Sequence, residues 1–150
     1  MRVLFVCLGN ICRSPLGEGI LQHKIDQLGL DWKVDSAGTS GFHNGEKPDR
    51  RSIKMGKSKG IDISSQRSRL FVKEDFEDFD HILVMDESNY ANACKLTDDP
   101  DQKAKVELIL DYTHPNESAE VPDPYWDDNG FELVYDLLDD ACDAFIKAHN

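Results

Sequence analysis

The chain has 150 residues, with 17 basic and 29 acidic side chains that give it a formal charge of −12. This length fits one compact fold, so residues 1–150 are predicted to form a single domain. The acidic balance disfavours a nucleic-acid binder, because phosphate backbones attract lysine and arginine rather than carboxylates, and any anionic partner would need a local binding site.

The predicted elements alternate between short apolar runs and helical stripes. Val3–Val6 has the pattern of a buried strand, and apolar residues then recur at helical spacing from Leu16 to Leu28, where Gly29 ends the pattern. Residues 32–38, 81–85 and 106–110 predict three further strands, and residues 86–96 predict a helix. A last amphipathic helix has its apolar stripe at Phe131, Val134, Leu138, Ala141, Cys142 and Phe145. Strands separated by helices predict a parallel sheet covered on both faces.

Residues 111–130 form a long segment with no helical or strand pattern. The segment contains three prolines together with aromatic and acidic residues. A loop of this length inside a compact domain is usually functional or disordered.

Several patterns bear on the cellular compartment and on metals. No apolar run approaches 18 residues, and no leader precedes the strand that begins at Val3, so the sequence predicts neither a membrane span nor a signal peptide. A cytoplasmic protein is therefore expected, and its four cysteines are expected to be thiols. No Cys-x2-Cys pair occurs and the five histidines are scattered, so no metal site is predicted.

The segment Cys7–Pro15 joins the first strand to the first helix, at the sheet edge where open α/β folds bind ligands. Ser14 is predicted as the N-cap of that helix, with Pro15 at its first position. Gly9 and Asn10 both tolerate positive φ, as a tight loop requires. Such a loop can turn successive N–H groups inward and bind an anion at the helix N-terminus.

Cys7 and Arg13 suggest what happens to that anion. A helix N-terminus and a neighbouring guanidinium stabilise a thiolate, which is a competent nucleophile. The planar guanidinium of Arg13 can bind two oxygens of a phosphate at once. The loop lacks the Gly-Lys-Ser/Thr sequence of a nucleotide-binding P-loop. The sequence therefore predicts a metal-free attack on phosphorus that needs no cofactor.

Four segments resemble the low-molecular-weight protein tyrosine phosphatase family over nearly the whole chain. They are "VCLGNICRSP" (6–15), "VDSAGTSG" (34–41), "MDESN" (85–89) and "DPYW" (123–126). The resemblance implies a flavodoxin-like three-layer sandwich with a four-stranded parallel sheet and helices on both faces. It also implies hydrolysis of phosphotyrosine in proteins through a phosphocysteine, with Cys7 as nucleophile, Arg13 as phosphate clamp and Asp123 as general acid and then base. The implied partners are tyrosine-phosphorylated proteins and inorganic phosphate or similar oxyanions, and neither a membrane nor a nucleic acid is expected.

The resemblance assigns supporting roles as well. The phosphate would be bound by the loop residues Leu8, Gly9, Asn10, Ile11, Cys12, Arg13 and Ser14. Asn10, Ser14 and Ser36 would form a polar network that steadies the thiolate. The family often has a histidine in this network, whereas the corresponding region here contains Ser65 and Gln66. The network is therefore expected to close differently.

The remaining candidate residues lie around the rim of the predicted site. Asp86 follows the third strand and either supports the site or only caps the next helix. Prolines on both sides of Asp123 stiffen the backbone of the predicted acid. Phe42, Tyr125 and Trp126 either wall a slot for a flat ring or pack as ordinary aromatics.

Two loop residues carry predictions of their own. Cys12 is either a small buried filler or a thiol that condenses with oxidised Cys7 to form a disulfide, a protection described for the resembled family. Related phosphatases that prefer phosphoarginine have a threonine at the position of Ile11. The branched apolar side chain of Ile11 is instead expected to pack against an aromatic ring, which predicts a preference for phosphotyrosine.

Two other functions and one charge pattern remain open from the sequence. A thioredoxin-coupled arsenate reductase would need two more cysteines close together, but Cys94 and Cys142 are far apart in sequence. A phosphopeptide-binding module would need neither a thiol nor an acid. Residues 47–73 contain nine lysines and arginines but only two aspartates. They are either a solvated face paired with acidic neighbours or a surface that steers acidic phosphopeptides.

Overall fold

The computed structural model describes residues 1–150 and contains one four-stranded parallel sheet. Its strands are β1 (Arg2–Cys7), β2 (Lys33–Gly38), β3 (His81–Val84) and β4 (Val106–Leu108), and they lie in the order β2-β1-β3-β4. The helices are α1 (Arg13–Leu28), α2 (Arg50–Ser58), α3 (Asp75–Asp78), α4 (Glu87–Cys94), α5 (Pro100–Lys103) and α6 (Phe131–His149). The predicted α/β fold with a four-stranded parallel sheet is confirmed. None of the helices has the length and apolarity needed to cross a membrane.

Two hydrophobic cores cover the two faces of the sheet. Val3 and Phe5 of β1 belong to the larger core, which also contains buried residues of α1 and α6. Leu4 and Val6 point to the other face and join the smaller core. All six residues of the predicted α6 stripe are buried, so the sequence pattern identified this helix correctly.

Helix α1 packs closely on β1 because Gly17 has no side chain. A Cβ atom at Gly17 would lie only 2.6 Å from the ring of Phe5. This close approach sets the N-terminus of α1 beside the carboxyl end of β1. The loop between the two elements is therefore held at the edge of the sheet.

The predicted start of α1 at Pro15 is wrong, because the helix begins two residues earlier. The helix begins at Arg13, and Cys12 is its N-cap residue without a side-chain hydrogen bond. Ser14 lies within the first turn, where its hydroxyl contacts Cys7 and Asn10 rather than a backbone N–H of the helix. The predicted end is correct, because Gly29 has φ 67° and stops the helix in the left-handed conformation.

Other boundaries differ from the prediction because the chain turns earlier than its apolar pattern ends. Strand β4 stops at Leu108, and Ile109–Tyr112 continue as a 3₁₀ helix. Strand β3 stops at Val84, and Asp86 caps α4 through the N–H of Asn89. After the 3₁₀ helix, residues 113–130 contain only turns and irregular backbone, as predicted for most of that segment.

Candidate active site

Cys7 ends β1 and is 2% exposed at the carboxyl edge of the sheet. The Oγ atom of Ser14 lies 3.0 Å from the Cys7 sulfur. Asn10 donates from Nδ2 to Ser14 Oγ at 2.7 Å and to Ser36 Oγ at 3.0 Å. Because the two amide hydrogens of Asn10 are both used, Ser14 accepts one of them and its own proton is free to point at the sulfur. The predicted network of Asn10, Ser14 and Ser36 is therefore present beside Cys7.

The network ends at a partly buried carboxyl group that the sequence did not single out. Ser36 donates its hydroxyl to Glu18 Oε1 at 2.7 Å. Burial raises the pKa of Glu18 to about 7, although the hydrogen bond from Ser36 opposes the shift. Gln66, from the region where the resembled family often has histidine, donates instead to the carbonyl of Pro15 at 3.0 Å. Glu18 is thus the end of the hydrogen-bonded chain that starts at the sulfur.

The loop between Cys7 and α1 has the shape of an anion-binding nest. Asn10 takes a positive φ of 57°, and its Oδ1 atom accepts the N–H of Arg69 at 3.0 Å. Gly9 is not in the left-handed region; its missing side chain leaves room for His43, which a Cβ would approach to 3.1 Å. None of the backbone N–H groups from Leu8 to Arg13 donates to another group of the protein. These free donors at the N-terminus of α1 are suited to an oxyanion.

Arg13 is 2% exposed, and neighbouring groups hold its guanidinium firmly. Its Nη1 atom donates to Asp86 Oδ2 at 2.8 Å and to the carbonyl of Val121 at 2.9 Å. Burial opposes the positive charge, but the sulfur of Cys7 and the nearby carboxylates outweigh it and raise the pKa of Arg13. Asp86 therefore fills both of the roles considered for it, since it caps α4 and also orients the guanidinium.

Asp123 approaches the same guanidinium from the long loop before α6. Its Oδ2 atom is 3.9 Å from Arg13 Nη2, and its Oδ1 atom accepts the N–H of Tyr125 at 3.1 Å. The carboxyl side chain is 40% exposed, so it can meet both a substrate and water. Cys7, Arg13 and Asp123 line one cavity of about 440 Å³.

Comparisons with known proteins identify the family. The family model described as "Low molecular weight phosphotyrosine protein phosphatase" matches residues 2–150. The chain belongs to this family. A relative from Synechocystis, whose name places it among the low molecular weight protein-tyrosine-phosphatases, is 51% identical over 147 residues, which are 95% of this chain and 92% of the relative. The predictions of the family and of a phosphatase are confirmed.

Solved structures of related phosphatases share the whole fold. A protein tyrosine phosphatase from Entamoeba histolytica with Hepes in its active site is 40% identical and has a TM-score of 0.91, covering 98% of this chain and 95% of that one. An arginine phosphatase from Drosophila is 35% identical with a TM-score of 0.90, covering 100% of this chain and 98% of that one. Phosphatases named for tyrosine and for arginine therefore share this fold.

Aromatic side chains form part of the cavity wall. Phe42 and Trp126 line it and are 84% and 90% exposed, and the Tyr125 ring stands edge-on to that of Trp126 with the centroids 4.8 Å apart. His43 also lines the cavity, and the sequence analysis missed it. Its position next to Phe42, just beyond the carboxyl end of β2, was the one available signal.

Cys12 lines the cavity and is 4% exposed. Burial raises the pKa of the Cys12 thiol to about 12, and the negative charges of Asp49 and Cys7 add to the shift. Cys12 is therefore a protonated thiol in this conformation of the phosphatase.

The basic segment 47–73 divides into paired and unpaired residues. Arg51 and Arg69 form ion pairs with carboxylates, as the solvated-face interpretation predicted. By contrast, the exposed basic side chains of α2 that make no ion pair are Arg50, Lys54 and Lys57. Arg51 therefore does not belong to any surface that would steer a substrate.

Proposed function

We propose that this chain hydrolyses phosphotyrosine in proteins without a metal ion, through a phosphocysteine intermediate, as one catalytic domain of residues 1–150. One observation carries the proposal: the Cys7 sulfur lies beside unpaired backbone N–H groups, with Arg13 and Asp123 on the same cavity. This arrangement supplies a nucleophile, an oxyanion site and a proton donor within one small volume.

In the first step the Cys7 thiolate attacks phosphorus in line with the leaving phenolate. The S–P bond forms while the P–O bond to tyrosine breaks, and Asp123 gives its proton to the departing oxygen. Arg13 and the loop N–H groups bind the equatorial oxygens, whose charge they stabilise. The immediate products are an unphosphorylated tyrosine side chain of the substrate protein and a phosphocysteine at Cys7.

In the second step water attacks the phosphocysteine. Asp123, now ionised, takes a proton from the water as the new P–O bond forms. The S–P bond breaks and Cys7 leaves as a thiolate, which the hydroxyl of Ser14 stabilises through the contact of 3.0 Å. Inorganic phosphate departs, and Asp123 is protonated for the next cycle.

The lining of the cavity supports an aromatic substrate. Ile11 is 8% exposed and packs in a small cluster with Phe131, against which Tyr125 also lies. A flat ring can pack between this apolar wall and Phe42, whereas a phosphorylated guanidinium would lose hydration against the same apolar side chains. We therefore expect phosphotyrosine to be preferred over phosphoarginine, although one relative of the same fold is named as an arginine phosphatase.

The alternative of an arsenate reductase has little support from the cysteines. Cys142 is buried in the larger core, and Cys94 packs against the smaller core on the opposite face of the sheet. These two thiols lie on opposite faces of the sheet and therefore cannot relay a disulfide from Cys7 by thiol–disulfide exchange. A phosphopeptide-binding module without catalytic activity would not need a carboxylate such as Asp123 beside Arg13 on the cavity wall.

Reversible oxidation is part of the proposal. Peroxide would oxidise the Cys7 thiolate to a sulfenic acid, and the Cys12 thiol would condense with it, forming an S–S bond and releasing water. The high pKa of Cys12 makes this condensation slow until the loop moves. All four cysteines are free, the state that a reducing compartment such as the cytoplasm maintains.

The test compares two substitutions with a surface control. Asp123→Asn should lower kcat/KM for phosphotyrosine by about 10²-fold, and by much less for an aryl phosphate with a good leaving group. Cys7→Ser should abolish turnover but still bind phosphate, because the N–H groups and Arg13 remain. Asp136→Asn, an exposed carboxyl on α6, should change neither value. Equal losses on both substrates would remove the acid role from Asp123, and turnover by Cys7→Ser would remove the nucleophile.

A further inference from the structure

The segment that carries the general acid has few connections to the rest of the fold. We call residues 122–129 the acid loop. Its own groups form internal hydrogen bonds, such as those from the N–H of Asp127 to Pro124 and from the N–H of Tyr125 to Asp123. Arg13 and Asp123 form an ion pair, but the distance of 3.9 Å from Arg13 Nη2 to Asp123 Oδ2 is too long for a hydrogen bond.

Apart from the adjacent Gly130, whose N–H donates to the carbonyl of Asp127 at 3.0 Å, only Arg51 forms hydrogen bonds between the rest of the protein and the acid loop. Its Nη2 atom donates to the carbonyl of Tyr125 at 2.9 Å, and its Nη1 atom donates to a carboxylate oxygen of Asp128. Tyr125 is also the residue whose N–H holds Asp123. One guanidinium therefore fixes the same residue that orients the acid.

Arg51 is itself held rigidly on α2. Its Nε and Nη2 atoms donate to the two oxygens of Asp49 at 3.0 and 2.9 Å. These bonds lower the pKa of Asp49 and raise that of Arg51, so the pair stays charged. The guanidinium carbon lies 4.7 Å from the ring centre of Phe131, and the side chain is 28% exposed. A planar fork that donates in three directions and stacks on a ring cannot be replaced by lysine.

The first turn of α2 is also bonded to the phosphate-binding loop. The N–H of Asp49 donates to the carbonyl of Ile11 at 2.7 Å, and Ser52 donates to the carbonyl of Cys12 at 3.2 Å. The beginning of α2 therefore stands between the loop that holds the phosphate and the loop that holds the acid. Arg51 provides the connection on the acid side.

We propose that Arg51 is a positioning residue that holds the acid loop in register with the phosphate-binding loop, so that Asp123 meets the leaving oxygen. The inference rests on the proposed acid role of Asp123. Arg51 does not line the cavity and touches neither the phosphate site nor the sulfur. Its effect is therefore confined to the steps in which Asp123 gives or takes a proton.

The test measures kcat/KM for Arg51→Ala on two small aryl phosphates. Phenyl phosphate has a poor leaving group and needs the acid, whereas 2,4-dinitrophenyl phosphate has a good one and does not. A misplaced acid should lower kcat/KM for phenyl phosphate by about 10- to 100-fold and that for the dinitrophenyl ester by less than about threefold. Arg50→Ala is the matched control, because Arg50 is the exposed neighbour on α2 and forms no ion pair, and it should change neither value.

A double substitution separates positioning from general damage. On phenyl phosphate, Asp123→Asn with Arg51→Ala should be no slower than Asp123→Asn alone, since the misplaced group is already inactive. Additive losses, or equal losses of Arg51→Ala on both esters, would overturn the inference. If Arg51→Ala does not fold, Arg51→Lys keeps the charge but loses the fork, and the same split between the esters is required. If Asp123→Asn itself shows no difference between the esters, the acid role fails and the inference fails with it.

Discussion

Ser14→Ala removes the one hydroxyl that contacts the Cys7 sulfur. The contact is 3.0 Å long, and Asn10 donates to the same oxygen, so the Ser14 proton is directed at sulfur. A hydrogen bond to a charged group contributes about 1.5–3 kcal/mol, which corresponds to a rate factor of about 10- to 150-fold. In the proposed mechanism the sulfur gains negative charge only when it leaves the phosphocysteine, so the second step should slow by this factor. Formation of the intermediate should change much less.

The assay is pre-steady-state release of phenol from an aryl phosphate. In Ser14→Ala the initial burst should keep its rate while the steady-state kcat falls, and the inhibition constant of phosphate should stay close to the wild-type value. Ser52→Ala is the matched control, because Ser52 is also a fully buried serine bonded to the loop, but its hydroxyl reaches the Cys12 carbonyl rather than the sulfur. Equal decreases of kcat in the two variants, or a slower burst in Ser14→Ala, would refute the reasoning.

Three further predictions concern stability, substrate capture and oxidation. The pKa of Glu18 is raised to about 7, so its contribution to the free energy of unfolding is complete at low pH and is lost as pH rises through about 7. In the wild type this lowers the free energy of unfolding by at most about 3 kcal/mol between about pH 5 and pH 8. Glu18→Gln should remove this pH dependence, as measured by urea unfolding. The second prediction replaces the unpaired basic residues of α2, Arg50, Lys54 and Lys57, by glutamate. If these residues steer acidic phosphopeptides, kcat/KM for such a peptide should fall several-fold at low salt, while that for a small aryl phosphate stays the same. An unchanged peptide kcat/KM would discard steering. Peroxide should inactivate the wild type reversibly with dithiothreitol, whereas Cys12→Ser should be active but recover poorly; reversible inactivation with no Cys7–Cys12 linked peptide in mass spectra would exclude the disulfide.

The parts of the fold that repeat a local pattern could be predicted from the sequence. Helix α6 was found because its apolar residues recur at helical spacing and are all buried. The start of α1 was misplaced for a reason that is equally physical. A Ser-Pro pair is typical of a helix start, but in the fold the hydroxyl of Ser14 bonds to Asn10 and lies against the Cys7 sulfur, a contact across the loop that local preference cannot reveal.

The supporting residues of the site depend on contacts that no spacing encodes. Glu18 looks like an ordinary polar residue between the apolar positions of α1. It becomes the end of the network only because β2 pairs with β1 in a register that sets Ser36 opposite Phe5. In the same way, Arg51 was one of nine basic residues in its segment until the fold brought the acid loop against α2.

The charges around Arg13 bear on how this acidic protein would bind a phosphate. One guanidinium faces the Cys7 sulfur together with the carboxylates of Asp86 and Asp123, so the side chains alone do not attract a dianion. The attraction must come from the backbone, because the N–H groups from Leu8 to Arg13 are dipoles without a protein partner. In the proposed mechanism Asp123 enters the cycle protonated, which removes one of the opposing charges as the phosphate enters. In the proposed mechanism the same proton then goes to the leaving oxygen, so binding and acid catalysis require the same protonated form of Asp123.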